Sequence, residues 1–180
     1  MTLASYITCL RLILILPIMY LSYFDSLLTD LLALILFLIA GLTDYLDGYI
    51  ARKTNTESSL GAVLDLLADK VLVCLILVWL AYLDKSLILI SLVLIIVLRE
   101  LAISSLRHYI VEKSGSNKLR VSYAGKSKTT VQFIAISFLL VSSHFGTYFY
   151  SLALFILTIA ACLSLSSLYG YIKLWKKILD

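Results

Sequence analysis

The chain has few charged residues. Of its 180 residues 14% are charged and 62% are apolar, whereas a soluble domain is typically about 25% charged and about 45–50% apolar. The mean hydropathy is +1.02. A chain this poor in charge has too many apolar residues to hide them all from water. This composition excludes an ordinary soluble domain, and also a disordered, fibrous or nucleic-acid-binding protein. We predict an integral membrane protein.

Cysteine is also scarce. Cys9, Cys74 and Cys162 all lie in apolar runs and are widely separated. This odd, scattered set argues against a disulfide framework and against a zinc knuckle, and it favours small apolar packing residues. The chain shows no internal repeat of fixed period, and no small-residue cleavage site follows the first apolar run. We therefore expect a single membrane domain over residues 1–180, with an uncleaved first span.

Long apolar runs are abundant, for example at residues 31–41 and 71–83. A membrane barrel would instead alternate apolar and polar residues in segments of about ten, whereas a membrane helix needs about 20 mostly apolar residues. We therefore predict an all-α, polytopic fold with six transmembrane helices. The predicted spans are residues 7–24, 28–48, 60–83, 87–107, 128–143 and 148–173.

Lysine and arginine are concentrated in alternate connections between these spans. The first and fifth connections have none, and the third has only Lys85. The second carries Arg52 and Lys53 in a loop, the fourth is a long basic segment at residues 109–127, and three lysines end the chain. Basic loops stay on the cytoplasmic side. Both termini and the Arg52 loop are therefore predicted to be cytoplasmic.

Four aspartates stand out in this apolar background, because charge inside a membrane helix points to function. Asp44 and Asp47 are three residues apart and Asp65 and Asp69 are four apart, so each pair shares a helix face. The short loop between spans two and three brings both pairs to the cytoplasmic end. Carboxylates so close would repel, and a pair of divalent cations would hold them together. Two-metal sites commonly catalyse displacement at phosphorus.

The aspartates belong to a longer pattern of eight fixed positions. Its members are Asp44, Asp47, Gly48, Ala51, Arg52, Gly61, Asp65 and Asp69. This pattern matches, position for position, the signature of the CDP-alcohol phosphatidyltransferases, and the chain resembles that family from Thr8 to about Gln132. The resemblance implies two Mg²⁺ or Mn²⁺ ions on the four aspartates, with Asp69 as the general base. It also implies a homodimer packed through membrane helices.

A second group of residues is expected to hold the lipid donor, CDP-diacylglycerol. Arg52 can bind a phosphate through two hydrogen bonds, and Gly48 lets a ligand approach the backbone. The full expected set is Thr8, Arg11, Gly48, Arg52, Ser58 and Gly61.

A third group is expected to bind the phosphate of an acceptor. The segments at residues 99–107 and 125–132 resemble the bacterial phosphatidylglycerophosphate synthases, a branch of the family whose acceptor is glycerol 3-phosphate. We expect a positive pocket here, with Glu100 orienting an arginine. The expected phosphate ligands are Arg99, Arg107, Lys126 and Lys128. The alternative is an internal Arg–Glu pair beside ordinary loop lysines.

These residues together predict transfer of a phosphatidyl group from CDP-diacylglycerol to sn-glycerol 3-phosphate, which yields phosphatidylglycerophosphate and CMP. The reaction is expected at the cytoplasmic face of a bacterial-type inner membrane. One alternative is the same chemistry with serine, inositol phosphate or phosphatidylglycerol as acceptor, although the basic cluster argues against serine. The other is a transporter or metal channel, against which the lack of an inverted repeat argues.

Overall fold

The computed structural model describes the backbone of residues 3–54, 59–114 and 123–179. It describes side chains at residues 10–43, Ala68, residues 70–106, Tyr109, residues 127–173 and Trp175. In these ranges the chain forms six α-helices and a short 3₁₀ turn, with no strand. The helices are α1 (Leu3–Leu21), α2 (Leu27–Thr54), α3 (Ser59–Asp84), α4 (Leu87–Ser114), α5 (Tyr123–Val141) and α6 (Gly146–Leu179). The all-α prediction is confirmed, and each predicted span falls on one helix.

Every helix runs past at least one end of its predicted span, and α2 and α4 show the reason. Helix α2 continues to Thr54 and helix α4 continues to Ser114. The prediction ended each element where hydrophobicity ends, but the backbone hydrogen bonds of a helix do not require apolar side chains. Lysine, arginine and glutamate are good helix formers, so these polar segments extend the helices. The predicted loop position of Arg52 is therefore wrong, because Arg52 lies in α2.

The described helices are apolar both inside and outside. Ile18, Phe37 and Ile76 are fully buried, whereas Leu28 and Leu98 are more than half exposed. A helix that is apolar all round is either central in a large protein or spans a membrane. Among the described residues, Leu87–Leu106 and Gly146–Lys173 are long and apolar enough to cross a membrane, and Leu10–Leu21 and Leu27–Thr43 form shorter apolar helices. Six crossings and cytoplasmic termini stay predictions.

The helices pack as two connected groups. Helix α1 lies against both α2 and α3, and α6 lies against both α4 and α5. Contacts of α3 with α4 and α5, and of α2 with α5, join the groups. At the α2–α5 contact the ring of Phe37 stacks on that of Phe133, with centroids 4.1 Å apart. Two polar contacts join helices near the short connections of the bundle. Trp79 Nε1 donates to Ser22 Oγ at 2.9 Å, and His144 Nε2 lies 3.0 Å from the Asp30 carboxylate.

The α2–α5 contact depends on a glycine. A Cβ atom at Gly41 would overlap the Phe133 ring, whereas one at Gly170 would meet open space. Gly41→Ala is therefore expected to destabilise the protein, since overpacking costs about 1–3 kcal/mol. Gly170→Ala is the matched control, and its better helix propensity makes it neutral or stabilising. Thermal unfolding in detergent measures both, and equal Tm values for the two variants would contradict the α2–α5 contact.

Candidate active site

The four signature aspartates lie on two neighbouring helices in the chain. Asp44 and Asp47 fall in the second half of α2, and Asp65 and Asp69 fall in the first half of α3, so the predicted helical spacing of each pair holds. Only residues 55–58 separate the two helices, which keeps the facing helix ends within about 18 Å of each other. The aspartate side chains lie outside the described residues, and their convergence stays a prediction.

The chemistry of this donor set fits the expected metal. Hard divalent cations such as Mg²⁺ and Mn²⁺ prefer carboxylate oxygens, and the four aspartates supply oxygen ligands alone. Among the side chains that the structure describes, no group of three or more His, Cys, Asp or Glu residues forms another metal-binding cluster. The side chains of the signature aspartates lie outside this described set, and their binding of a metal stays a prediction.

Arg11 is the best-described member of the expected donor-binding group. It lies on α1, the helix that contacts both α2 and α3, and it is fully buried. An arginine inside an apolar bundle is costly and marks a functional position. Its role at the edge of a cytidine diphosphate site stays a prediction.

For the other helical members of the expected donor-binding group, the structure describes only the backbone. Thr8 lies in α1, Gly48 and Arg52 lie in α2, and Gly61 lies in α3. Their surroundings are outside the described residues, and Ser58 falls entirely outside them. Their binding of CDP-diacylglycerol therefore stays a prediction.

The described part of the expected acceptor pocket is a buried ionic cluster between α4 and α5. Arg99, Glu100 and Lys128 are each less than a tenth exposed. Arg99 Nη1 donates to Glu100 Oε1 at 2.8 Å, and Lys128 Nζ donates to the same oxygen. Glu100 is therefore paired with Arg99, which both the pocket and the alternative of an internal Arg–Glu pair predict, and it also joins Arg99 to Lys128. The cluster holds two cations and one anion.

Helix α6 contributes the remaining contacts of the Arg99 side chain. Nε donates to the carbonyl oxygen of Ser164 at 3.0 Å, and Nη2 donates to the hydroxyl of Ser167 at 2.7 Å. The hydroxyl of Ser164 accepts a hydrogen bond from Gln132 Nε2 of α5 at 3.3 Å. Each guanidinium nitrogen of Arg99 thus has a different partner, and these partners lie on α4 and α6.

Sequence reasoning missed these α6 residues. The available signal was a pair of serines three residues apart in an apolar helix, which places them on one helix face. Ser166 lies beside them in the sequence, and it is exposed and bonds the carbonyl of Leu163 in its own helix. Nothing in the sequence tells the inward serines from the outward one, because the distinction depends on the rotation of α6 in the bundle.

A further contact ties this cluster to the signature helix. Lys70, the residue after Asp69, donates through Nζ to the hydroxyl of Ser104. Ser104 lies one helical turn beyond Glu100 on α4, and residues four apart share a helix face. The first half of α3 and the ionic cluster are therefore neighbours in the bundle.

The two remaining acceptor candidates are placed less fully. Arg107 lies on α4, eight residues beyond Arg99, and Lys126 lies in the first turn of α5, two residues before Lys128. Their side chains are outside the described residues. The structure brings Arg99 and Lys128 together, and participation of Arg107 and Lys126 stays a prediction.

Comparisons with known proteins agree with the signature. A model of the CDP-alcohol phosphatidyltransferase family matches residues 1–174. The chain is 38% identical over 142 residues to a protein of Haemophilus influenzae, covering 79% of this chain and 76% of the relative. A Rickettsia bellii protein is 38% identical over 178 residues, covering 97% and 96%, and a Salmonella choleraesuis protein is 33% identical over 167 residues, covering 93% and 91%.

All three relatives carry the name CDP-diacylglycerol–glycerol-3-phosphate 3-phosphatidyltransferase. The family match spans nearly the whole chain and includes every position of the aspartate signature. The chain therefore belongs to the CDP-alcohol phosphatidyltransferase family and is an enzyme that transfers substituted phosphate groups.

Proposed function

We propose that this enzyme transfers the phosphatidyl group of CDP-diacylglycerol to sn-glycerol 3-phosphate, and that the products are phosphatidylglycerophosphate and CMP. Support comes from the aspartate signature, from the names of the relatives, and from the buried cationic cluster. The reaction would take place at the cytoplasmic face of a bacterial-type inner membrane, in a homodimer of a six-span protein. The lipid chains of the donor would stay in the bilayer.

The transfer requires one bond to form and one to break at the phosphorus that carries the diacylglycerol. Asp69 would accept the proton of the glycerol hydroxyl as that oxygen attacks. The bond between phosphorus and the bridging oxygen breaks, and CMP leaves with the electron pair. Two divalent cations on Asp44, Asp47, Asp65 and Asp69 would neutralise charge on the pyrophosphate.

Donor binding would fall to residues of α1, α2 and the start of α3, together with Ser58 between α2 and α3. Arg52 can make two hydrogen bonds to a phosphate oxygen pair, and the absence of a Cβ atom at Gly48 leaves room for the ligand. Buried Arg11 would add positive charge on the α1 side. Thr8, Ser58 and Gly61 complete the proposed donor site.

The acceptor assignment depends most on one observation, which is the excess of positive charge around Glu100. Arg99 and Lys128 share a single carboxylate oxygen, so the three side chains carry a net positive charge in a buried place. Buried charge is costly unless it is compensated, and an acceptor phosphate would supply the missing negative charge. Arg107 and Lys126 would add to this pocket. Free serine, whose carboxylate is offset by its own ammonium group, would bring no net negative charge to balance the excess.

Release of CMP by the purified protein in detergent tests the acceptor. CDP-diacylglycerol and Mg²⁺ are supplied with glycerol 3-phosphate, serine, inositol phosphate or phosphatidylglycerol in separate reactions. We expect release with glycerol 3-phosphate alone, and none when a chelator removes Mg²⁺. Release with a different acceptor alone would overturn the acceptor pocket and keep the aspartate site. No release with any acceptor would overturn the proposed reaction.

A further inference from the structure

The geometry points to Ser167 of α6 as a positioning residue for the acceptor site, one that sets the orientation of Arg99 toward the acceptor phosphate. This inference rests on the proposed function. It assigns a role to a helix that the aspartate signature does not reach, since α6 begins at Gly146 and the signature ends at Asp69.

Three hydrogen bonds hold the guanidinium of Arg99. The Ser167 hydroxyl lies 2.7 Å from Nη2, while Glu100 holds Nη1 and the Ser164 carbonyl holds Nε. Arginine has a long side chain that must be fixed before its planar fork can match a phosphate. Three partners on two helices fix both the position and the plane of this fork.

The number of N–H groups that remain on Arg99 also bears on phosphate binding. Each terminal nitrogen of arginine has two N–H groups, and Nε has one. The contacts within the described part of the chain use one N–H on each nitrogen of Arg99. Among the described contacts one N–H on each terminal nitrogen is therefore unused, and a phosphate bound through two hydrogen bonds needs two N–H groups.

The chemistry of the Ser167 side chain also suits a role in orienting Arg99. Glu100 already supplies negative charge to Arg99, and a second carboxylate would cancel the attraction for phosphate. A hydroxyl directs the guanidinium and leaves its charge intact. Ser167 is buried in a mostly apolar helix, where a polar side chain facing a neighbouring helix commonly makes a hydrogen bond to it. Ser167 therefore fits orientation of Arg99 better than it fits simple packing.

The test compares Ser167→Ala, Ser167→Thr and the control Ser166→Ala in steady-state CMP release. Ser166 is exposed and bonds only the carbonyl of Leu163 among the described contacts, so Ser166→Ala removes the same atom without touching Arg99. We expect Ser167→Ala to raise KM for glycerol 3-phosphate about tenfold, as loss of a hydrogen bond to a charged group does. The kcat value and KM for CDP-diacylglycerol stay within about twofold, and Ser167→Thr restores the acceptor KM.

A comparison in the Arg99→Lys variant separates a positioning role of Ser167 from a purely structural role. If Ser167 acts through Arg99, Ser167→Ala raises the acceptor KM in the wild type but has little further effect in Arg99→Lys, because coupled residues are not additive. If Ser167→Ala does not yield folded protein, the near-isosteric Ser167→Cys takes the same test. The inference would be overturned if Ser167→Ala had equal effects in the wild type and in Arg99→Lys. It would also be overturned if the substitution lowered kcat and raised both KM values to a similar extent.

The same measurements distinguish failure of the inference from failure of the proposed function. Wild-type protein that releases no CMP with glycerol 3-phosphate overturns the proposed function, and the inference with it. Wild-type protein that is active, together with Ser167→Ala behaving like Ser166→Ala, overturns the inference alone.

Discussion

Asp69→Asn is expected to abolish phosphatidyl transfer while the protein stays folded. Asparagine keeps the size of the side chain but cannot accept the proton of the acceptor hydroxyl, and a neutral amide is a weaker ligand for a divalent cation than a carboxylate. Loss of a general base alone costs about 10²–10⁴-fold in rate, and a weakened metal site adds to that loss. The measurement is kcat for CMP release at saturating glycerol 3-phosphate.

Asp25→Asn is the matched control, because it makes the same chemical change at an exposed carboxylate between α1 and α2. This control should keep wild-type kcat. An Asp69→Asn variant that retained near-normal turnover would show that the last signature aspartate is not the base.

Glu100→Gln is expected to cause the largest loss of stability among single substitutions in the ionic cluster. The change removes one negative charge and keeps the shape of the side chain, so Arg99 and Lys128 remain as two buried cations without their shared carboxylate. Breaking a buried ion pair from one side costs about 3–5 kcal/mol. Thermal unfolding in detergent should show a lowered Tm, because a neutral amide oxygen can accept a hydrogen bond from Arg99 but cannot balance the two cations.

Lys128→Met provides the comparison. This change leaves Arg99 and Glu100 as a neutral pair, so we expect a smaller loss of stability than for Glu100→Gln. The double variant removes one cation along with the carboxylate, and its Tm should lie above the value that the two single losses predict when added. Additive losses would mean that Lys128 and Glu100 do not interact.

The aspartate signature was the part of the site most readily predicted from sequence. Its spacing is local, so the helical periodicity of 3.6 residues alone places Asp44 with Asp47 and Asp65 with Asp69. The all-α fold was equally predictable, because long apolar runs leave little choice of secondary structure in a bilayer.

The contacts of α6 were beyond prediction for a physical reason. Arg99 and Ser167 are 68 residues apart, and their meeting depends on how α6 rotates against α4. Ser166 and Ser167 are chemically identical, yet one is exposed and the other is buried. The extension of α2 past Arg52 was missed for a different reason: hydrophobicity marks where a bilayer ends, whereas backbone hydrogen bonding decides where a helix ends.

The most direct test of the central claim follows the phosphate of glycerol 3-phosphate during the reaction. Purified protein is given CDP-diacylglycerol, Mg²⁺ and acceptor labelled in its phosphate, and the lipid and aqueous phases are separated. We expect labelled phosphatidylglycerophosphate in the lipid phase, one molecule for each CMP released, and none with Asp69→Asn. Release of CMP while all the label stays in the aqueous phase would contradict the proposed reaction, because the enzyme would then hydrolyse the donor without transferring the phosphatidyl group.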